Sequence, residues 1–329
     1  MHPVIAVSVC QAIACTRAST LPRLMSLVVV GSIAFDAVKT PFGEREKMLG
    51  GSAVHFSLAA SFFCDEVRVV GPVGDDFGDE QHEVLRGRGV TVDDIEHVEG
   101  GQTFFWRGEY QYDLNTAHTL DTQLGVFGDF EPKLSDAAKN ADFLFLANIV
   151  PQLQIKVRKE CKGAKLAGLD SMNLWIENEH EALEQAIGSV DILFLNDAEV
   201  RMFAKEPNLV RAARSVMSHG PGVVVAKQGE YGAALFVGDR FFSLPAFPLE
   251  TVMDPTGAGD SFAGGFMGYL ASRGPDALAD NTELRRAMTY GSVLASFNVE
   301  EFGTERVARL TRKEIDERYS ELRRMTTLA

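Results

Sequence analysis

Short apolar runs alternate with amphipathic stretches along most of this chain. Residues 26–33, 142–148, 165–170 and 190–196 are apolar almost throughout, and segments with helical spacing separate them. A strand that is covered on both faces has no polar side, so such runs predict parallel strands buried between helices. The pattern therefore predicts an α/β fold built on a doubly wound, mostly parallel sheet.

One segment departs from this rhythm. Residues 103–112 are rich in aromatic side chains and alternate at a period of two, and a polar connection follows to about residue 130. Such alternation is typical of strands that have one solvated face. We expect a small, partly exposed β-sheet in this part of the chain.

Composition and charge narrow the functional classes. The chain has 329 residues, of which 46% are hydrophobic, and this suffices for one large α/β core. The formal net charge of −14 argues against a nucleic-acid partner. No segment is long and apolar enough to span a membrane. Cys10, Cys15, Cys64 and Cys161 form no CxxC pair, so the sequence predicts neither a zinc site nor disulfides and fits a cytoplasmic protein.

The first 24 residues differ from the remainder. They contain no acidic residue and only one short apolar run, residues 3–9. A secretory signal or transit peptide is one interpretation. Because Met25 directly precedes the first strong strand pattern, we predict instead a flexible extension over residues 1–24 and a single domain over residues 25–329.

One glycine-rich stretch carries the strongest chemical signal. Pro255 ends the preceding segment, Gly257 and Gly259 allow a tight turn, and apolar residues recur at helical spacing after it. The first amides of a helix lack partners and its dipole is positive there, so phosphate can lie against Gly257, Ala258 and Gly259. A carboxylate in the first turn, here Asp260, is suited to deprotonate a hydroxyl that attacks phosphate. The stretch therefore indicates phosphoryl transfer.

The same stretch permits a purely structural interpretation. Asp260, Gly264 and Gly268 fall at i, i+4 and i+8 and would give one thin helix face for close packing. Two other phosphate-binding patterns are excluded. No Gly-Lys-Ser/Thr follows, as a P-loop requires, and Phe262 stands where a dinucleotide fingerprint has its third glycine.

Residues 254–265, Asp-Pro-Thr-Gly-Ala-Gly-Asp-Ser-Phe-Ala-Gly-Gly, resemble the C-terminal motif of the ribokinase family, also called phosphofructokinase B-type carbohydrate kinases. The resemblance covers about residues 25–325, with the main motifs in family order. It implies a ribokinase-like three-layer fold with a β-sheet lid at about residues 37–49 and 100–130. It also implies ATP-dependent transfer of the γ-phosphate to a hydroxyl of a sugar or sugar-like alcohol, with Asp260 as general base.

The resemblance places the acceptor at one edge of the sheet. Asp36, predicted at the carboxyl end of the first strand, matches the aspartate that hydrogen-bonds substrate hydroxyls in the family. Gly50 and Gly51 match the N-terminal Gly-Gly motif and open a helix that also carries Ser52 and His55. The family usually has asparagine at the position of His55, and a histidine packed on a helix face is the alternative to a substrate contact. Arg107, in the lid strands of the family, is a further predicted contact of the substrate or of the developing phosphate, and an outward-facing arginine on a strand is the alternative. Asn148 and Asp170 are predicted substrate contacts because they fall at strand ends, on the edge where a doubly wound sheet builds its site.

The nucleotide and its metal are expected on neighbouring strands. Asn196 and Glu199 resemble the family's Asn-x-x-Glu motif, in which an amide and a carboxylate hold a water-bridged Mg²⁺. A capping box, in which the two side chains only satisfy backbone donors, is compatible with the same spacing. Asp254 and Thr256 match the K⁺ ligands of some members, so activation by K⁺ is a further expectation. The predicted ATP contacts are Asn196, Lys227, Gly229, Gly232, Thr256, Gly257 and Gly259.

Two other functions are compatible with these residues. A nucleoside kinase of the same fold would use the same phosphoryl-transfer groups, and Ser52, His55 and the aromatic lid would favour a nucleoside over a free sugar. The more remote alternative is a non-catalytic sugar-binding or regulatory protein, against which Asp260, Asn196 and Glu199 argue. The resemblance further implies a homodimer formed through the lid.

Overall fold

The structure is a computed structural model that describes residues 25–327, so the predicted extension of residues 1–24 lies outside the described residues. The strands within that range are β1 (Ser26–Val30), β2 (Ala34–Thr40), β3 (Gly43–Gly50), β4 (Glu66–Val73), β5 (Val90–His97), β6 (Phe104–Tyr110), β7 (Ala117–Gln123), β8 (Phe143–Leu146), β9 (Leu166–Asp170), β10 (Ile192–Asn196), β11 (Val223–Lys227), β12 (Ala233–Val237) and β13 (Arg240–Leu244).

The α-helices connect these strands and cover them. They are α1 (Ser52–Ala60), α2 (Asp79–Arg86), α3 (Asp136–Lys139), α4 (Pro151–Glu160), α5 (Asn173–Asn178), α6 (His180–Ile187), α7 (Asp197–Ala204), α8 (Leu209–Met217), α9 (Ala258–Arg273), α10 (Asn281–Asn298), α11 (Glu305–Arg309) and α12 (Arg312–Thr326).

The main sheet has nine strands among the described residues, in the order β5-β4-β1-β8-β9-β10-β11-β12-β13. Neighbouring strands pair in parallel from β5 to β11, and β12 and β13 are added antiparallel. Among the described residues β1 is the first strand and lies inside the sheet, with later strands added on both sides of it, so the strand order reverses beside β1. In doubly wound sheets ligands bind at the carboxyl ends of the strands near such a reversal.

Helices cover both faces of the main sheet, and successive side chains of each strand point to opposite faces, so each strand contributes to two cores. In β1, Leu27 and Val29 pack into one core while Val28 and Val30 pack into the other, and all four are fully buried. The first core includes α1, α9, α10 and α12, and the second includes α4, α6, α7 and α8. These two cores explain the uniformly apolar runs and confirm the predicted doubly wound α/β fold.

The glycines of α9 bring this helix close to α1. A Cβ on Gly268 would lie 2.8 Å from the backbone of Ala60, and a Cβ on Gly264 would overlap with the carbonyl of Phe56. Close packing and ligand binding therefore use different parts of the same stretch. The structural interpretation holds for Gly264 and Gly268, whereas the turn before the helix remains available for chemistry.

A second sheet of four strands, in the order β3-β2-β6-β7, forms the lid. The strand β2 pairs antiparallel with β3 and parallel with β6, and β6 pairs antiparallel with β7. All seven residues of the edge strand β7 are exposed. The predicted lid sheet is thus confirmed, and its strands begin at Ala34.

Asp36 lies in the lid and not at the end of the first strand, as the sequence analysis had it. The strand β1 stops at Val30, residues 31–33 turn the chain away from the main sheet, and Asp36 is the third residue of β2. Gly31 and Ser32 mark this break in the sequence, but the apolar residues on both sides led to one continuous strand being predicted over residues 26–33.

Among residues 25–327 no helix has the length and apolar character needed to cross a membrane. Cys64 and Cys161 are free thiols, and burial raises the pKa of each to about 11. These two cysteines therefore behave as core residues, while Cys10 and Cys15 lie outside the described residues.

Candidate active site

Helix α9 begins at the turn that the sequence analysis identified as the chemical centre. Gly257 is the N-cap and adopts a φ of 75°, a left-handed conformation that favours glycine. The N–H of Ala258 donates to the carbonyl of Pro255 at 3.2 Å, whereas within residues 25–327 the amides of Gly257 and Gly259 have no backbone acceptor. Both glycines are partly exposed. Two of the three predicted amides are therefore free to bind an anion, and we call residues 257–259 the anion turn.

Asp260 follows the anion turn directly, in the first turn of α9. Desolvation by the surrounding protein raises the pKa of its carboxyl to about 7, the charge of Asp170 adds to this rise, and Lys227 opposes it. A carboxyl whose pKa lies near neutrality is suited to accept a proton from a hydroxyl. The structure thus brings a candidate base next to a candidate anion site.

A buried ion pair lies beside the anion turn. Nζ of Lys227, the last residue of β11, donates to Oδ2 of Asp170, the last residue of β9, at 2.7 Å. Only 18% of the Lys227 side chain and 6% of the Asp170 side chain are exposed. A Cβ on Gly259 would lie 2.9 Å from the same Nζ, so the ammonium contacts the anion turn. A predicted ATP contact and a predicted substrate contact are therefore partners in one pair.

Asp36 and the double glycine meet in a corner beneath the lid. Asp36 is buried, and a Cβ on Gly50 would overlap with its carboxylate. Gly51 has a φ of 96°, and a Cβ there would clash with the backbone of the loop before β2. Burial and the charge of Asp254 raise the pKa of Asp36 to about 7, and the amide of Gly51 lowers it. Asp260 also raises the pKa of Asp36, so the two carboxyls act within one site.

Ser52 begins α1 directly after this corner. Its N–H donates to Oγ of Ser32 at 3.0 Å, and the two hydroxyls are also 3.0 Å apart. The side chain of Ser52 is buried. The pair of serines fixes the start of α1 behind the double glycine.

His55 packs against the anion turn. It is 2% exposed, and its ring occupies the space that a side chain at position 257 would need. Nδ2 of Asn298 donates to the carbonyl of Thr256 at 2.7 Å, which leaves Oδ1 of Asn298 as an acceptor. This oxygen accepts from Nδ1 of His55 at 3.0 Å and from Oγ of Ser261 at 2.9 Å. Burial lowers the pKa of His55 to about 4, so the ring is neutral, and its placement supports the alternative of a histidine packed on a helix face.

The lid reaches the anion turn through β6. Oγ1 of Thr256 donates to the hydroxyl of Tyr110 at 3.2 Å. The register of β2 and β6 sets Asp36 opposite Trp106, so both lie on the face of the lid that carries Tyr110. Tyr110 and Phe302 belong to a small apolar cluster against which Trp106 packs. The corner formed by Asp36 and the double glycine, which we call the acceptor corner after its predicted ligand, is therefore bounded by a carboxylate and by aromatic side chains.

Two of the predicted substrate contacts point elsewhere. Arg107 lies on the opposite face of the lid, 6.0 Å from the ring centroid of Phe105. Asn148 follows β8, where its Oδ1 accepts from Nε1 of Trp175 at 2.9 Å and its Nδ2 lies 3.1 Å from Sδ of Met172. These placements give the predicted substrate roles of Arg107 and Asn148 no structural support.

The two predicted nucleotide glycines lie in the turn after β11. Gly229 has a φ of 55°, and a Cβ there would lie 2.6 Å from Oδ1 of Asn115, in the loop between β6 and β7. Gly232 has a φ of 98°, and a Cβ there would overlap with the carbonyl of Leu244. The turn therefore touches the lid at Gly229, whereas the hairpin itself requires glycine at position 232.

Asn196 and Glu199 form the capping box of α7. Oε2 of Glu199 accepts from the N–H of Asn196 at 2.7 Å, and Oδ1 of Asn196 accepts from the N–H of Glu199 at 2.8 Å. No hydrogen bond reaches Oε1 of Glu199 from the described part of the chain, so one carboxylate oxygen remains for a cation or its water. Burial raises the pKa of Glu199 to about 7, Lys227 lowers it, and Asp170 raises it.

This donor set fits Mg²⁺. Over residues 25–327 no group of three or more His, Cys, Asp or Glu side chains could hold a metal ion. Mg²⁺ keeps several waters and is usually bound through one or two carboxylates together with substrate phosphates. Glu199, with one free oxygen, and Asn196 match that requirement.

Asp254 links the loop before the anion turn to the loop that follows α10. Its Oδ1 accepts from the N–H of Thr256 at 2.9 Å, and its Oδ2 accepts from the N–H of Gly303 at 3.0 Å. The side chain is fully buried, and burial raises its pKa. The carboxylate therefore fixes two loops against each other at the predicted K⁺ position.

Two residues that contact this site, Asn298 and Tyr110, have no specific signal in the sequence. Asn298 ends α10 and belongs to no recognisable motif, so no sequence signal pointed to it. Tyr110 lies within the aromatic alternation of the lid, where a phenol among strand residues was a usable but unspecific signal. Both reach the turn from elements distant in sequence.

Known proteins of similar sequence are kinases. Residues 25–309 match the family described as pfkB family carbohydrate kinase. The cytidine kinase of Thermococcus kodakarensis is 30% identical over 259 residues, which span 76% of this chain and 90% of that enzyme. The nucleoside kinase of Methanothermobacter thermautotrophicus is 30% identical over 296 residues, which span 85% of this chain and 91% of that enzyme.

Solved structures share the fold and confirm its ribokinase-like character. Ribokinase from Giardia lamblia superposes with a TM-score of 0.76 at 20% identity, covering 91% of this chain and 99% of that one. The nucleoside kinase of Burkholderia thailandensis in complex with inosine gives 0.73 at 20% identity, covering 90% and 97%. With the family match spanning nearly the whole described domain, this chain belongs to the pfkB family of carbohydrate kinases and is a phosphotransferase that acts on an alcohol group.

Proposed function

We propose that this enzyme transfers the γ-phosphoryl group of ATP to a hydroxyl of a sugar or sugar-like alcohol, with Asp260 as general base. The observation that carries the proposal is the position of Asp260 directly after the anion turn, with Asp36 in the same electrostatic environment. An acceptor held by Asp36 would present a hydroxyl between the carboxylate of Asp260 and a phosphoryl group on the anion turn.

The transfer step requires a base and a site for the developing charge. Asp260 accepts the proton of the hydroxyl while the hydroxyl oxygen attacks phosphorus. The bond between phosphorus and the β,γ-bridging oxygen breaks, and ADP leaves with that oxygen. The amides of Gly257 and Gly259 and the positive end of α9 stabilise the transferred group.

Two cations accompany the proposal. Glu199 and Asn196 would hold Mg²⁺ through water, with the free Oε1 of Glu199 as support. When bound, Mg²⁺ neutralises charge on the phosphate oxygens. Asp254 and Thr256 are the proposed K⁺ ligands, and higher activity in potassium chloride than in tetramethylammonium chloride would support that assignment.

The test is an ADP-release assay with ATP, Mg²⁺ and a panel of acceptors: ribose, fructose, inositol, adenosine and cytidine. We expect ADP release that depends on one class of acceptor. In Asp260→Asn, kcat should fall by about 10²–10⁴ while the affinity for ADP is kept. Asp239→Asn is the matched control, since Asp239 is exposed in the turn between β12 and β13. A silent panel, or full activity in Asp260→Asn, would contradict the proposal.

A nucleoside is the second candidate acceptor. The relatives at 30% identity are a cytidine kinase and a nucleoside kinase. In addition, the lid face that carries Asp36 also carries Trp106 and Tyr110, and aromatic rings offer flat apolar surfaces for a base. Competition between cytidine and ribose at fixed ATP separates the candidates. A higher kcat/KM for cytidine favours the nucleoside, and the reverse favours the free sugar.

We further infer a homodimer formed through the lid and a cytoplasmic location. The edge strand β7 is exposed along its length, and an edge strand has backbone groups that can pair with another chain. Light scattering coupled to size exclusion tests the dimer by giving the mass of one or two chains.

The proposed cytoplasmic location is supported by the cysteines of the described residues. Cys64 and Cys161 are free and buried, which fits a reducing compartment.

A further inference from the structure

We propose that Lys227 is a catalytic residue whose ammonium leaves Asp170 during turnover and contacts an oxygen of the transferred phosphoryl group. The inference rests on the proposed function. It assigns Lys227 to the charge that develops in the reaction and not only to the binding of ATP. It also gives Asp170 a defined role, which is to hold the ammonium beside the anion turn between turnovers.

The first support is the position of the Lys227 side chain across the edge of the sheet. The strand β10 lies between β9 and β11, so Lys227 and Asp170 meet over the end of an intervening strand. Neighbouring strands are about 4.8 Å apart, and the pair therefore bridges roughly 10 Å of the sheet edge. Both side chains have to extend to reach their contact of 2.7 Å. This places the ammonium at the carboxyl edge of the sheet.

The second support is the contact between Lys227 and the anion turn. A Cβ on Gly259 would lie 2.9 Å from Nζ, so any larger residue at position 259 would crowd the ammonium. The amide of Gly259 is one of the two without a backbone acceptor among the described residues. An anion bound to that amide would lie close to the ammonium. The lysine can then change partners by a small rotation of its side chain.

The third support is the balance of charge. Burial would lower the pKa of Lys227, but Asp170 and Glu199 raise it overall, so the side chain is cationic. The charges of Asp170, Glu199 and Asp260 all act on this one ammonium. With a net charge of −14, the chain as a whole offers a phosphoryl group no attraction. Local cations therefore have to offset the carboxylates, and Lys227 is the one that the protein itself places against the anion turn.

Lys227 takes part in the chemical step without gaining or losing a proton. The acceptor oxygen forms its bond to phosphorus, the bond to the bridging oxygen of ADP breaks, and the acceptor proton passes to Asp260. Lys227 keeps its protons and only exchanges a carboxylate oxygen for a phosphoryl oxygen. Charge-assisted hydrogen bonds in a site poor in water are strongest where charge develops.

The first experiment compares Lys227→Met and Lys227→Arg with the wild-type enzyme. In Lys227→Met, kcat should fall by about 10²–10³, the usual effect of removing one donor to a developing charge. The affinity for ADP, which lacks the transferred group, should stay within a few-fold. Lys227→Arg retains the charge and should recover part of kcat. Lys313→Met is the matched control, because the Lys313 side chain is 83% exposed on α12.

A second comparison separates catalysis from structure, since Lys227→Met also leaves Asp170 as a buried charge without its partner. We compare Asp170→Asn with the double variant Asp170→Asn/Lys227→Met. If Lys227 only neutralises Asp170, adding Lys227→Met to Asp170→Asn leaves kcat unchanged, and this result would overturn the proposal. If Lys227 acts on the phosphoryl group, the same addition lowers kcat at least tenfold.

A binding measurement can also distinguish a catalytic role of Lys227 from a structural one, and it does not require turnover. ADP with aluminium fluoride imitates the phosphoryl group in transfer, whereas ADP alone does not. In the Asp170→Asn background, Lys227→Met should weaken binding of the fluoride complex at least tenfold relative to ADP, and an unchanged ratio would overturn the proposal. An inactive wild-type enzyme contradicts the proposed function itself, whereas an active wild type with an equally active Lys227→Met contradicts only the role of Lys227.

Discussion

The imidazole of His55 fills the space that a side chain at position 257 would occupy. Oδ1 of Asn298 accepts a hydrogen bond from Nδ1 of this ring. Nδ2 of Asn298 donates to the carbonyl of Thr256, just before the anion turn. The helices α1, α9 and α10 therefore meet at one point beneath the turn. A neutral buried network therefore supports the turn that carries the free amides, and the ammonium of Lys227 contacts the same turn at Gly259.

The first prediction concerns Gly257→Ala. The left-handed conformation costs a residue with a Cβ roughly 1–2 kcal/mol. The overlap with His55 adds overpacking of about 1–3 kcal/mol. We expect a lower melting temperature and a large loss of kcat, measured by thermal unfolding and by ADP release.

Gly89→Ala is the control for the backbone alone. Gly89 has a φ of 76°, close to the 75° of Gly257, and a Cβ there would meet nothing within 4 Å. This variant should show the conformational cost without the loss of activity. Equal loss of stability in the two variants would mean that the contact with His55 contributes nothing.

The second prediction concerns Asn298→Ala, which removes two buried hydrogen bonds, to His55 and Ser261, and a partly buried one to Thr256. Leaving such partners unsatisfied should lower the free energy of unfolding by roughly 2–4 kcal/mol. We expect kcat to fall while the acceptor KM changes little, because the network supports the anion turn and not the acceptor. In the control Asn178→Ala an exposed asparagine loses one bond to a helix carbonyl, so stability and kcat should hold. A raised acceptor KM with normal kcat would instead assign the network to acceptor binding.

The third prediction is the pH dependence of kcat. A general base works only when it is ionised, and the pKa of Asp260 is raised to about 7 by desolvation and by Asp170. Activity should therefore be low at pH 5, rise through about pH 7 and level off above it. The residual activity of Asp260→Asn should lose the part of this rise that belongs to Asp260, while Asp36 and Glu199, whose pKa values are also raised to about 7, still titrate in the same range. A wild-type profile that is flat from pH 5 to 8 would argue against Asp260 as the base.

The fourth prediction concerns Gly50→Ala. A Cβ at position 50 would overlap with the carboxylate of Asp36 and push it out of the acceptor corner. Misplacement of a substrate-positioning group by about 1 Å can lower the rate up to about 10²-fold, so kcat/KM for the acceptor should fall by roughly that factor. The affinity for ADP should not change. Gly222→Ala, where a Cβ would meet nothing within 4 Å, is the control and should behave as wild type.

The fold could be predicted because its signals are local. Uniformly apolar runs such as β1 report burial on both faces, and the alternation in β6 reports a sheet with one exposed face. The anion turn was also visible, since Gly257, Gly259 and Asp260 are adjacent in the chain. The break between β1 and β2 is marked only by Gly31 and Ser32, between apolar residues that predict one continuous strand, and Asp36 was assigned to the wrong strand as a result.

The contacts within the site depend on distances that no local pattern contains. Lys227 and Asp170 are close enough to meet because only one strand, β10, lies between β9 and β11. This strand order follows from the packing of the whole sheet. His55 was identified as a departure from the family motif, but the direction of its ring depends on Asn298 at the end of α10. Spacing suggested both roles of Asn196 and Glu199, and the coordinates show the capping role directly.

The strand β2 carries Asp36 and is also the central connection of the lid, paired with β3 on one side and β6 on the other. Asp36 therefore belongs to the same four-stranded sheet as the aromatic side chains of the lid. In the proposed function, an acceptor bound by Asp36 would hold this sheet over the cleft, so we expect hydrolysis of ATP to be slow when no acceptor is present.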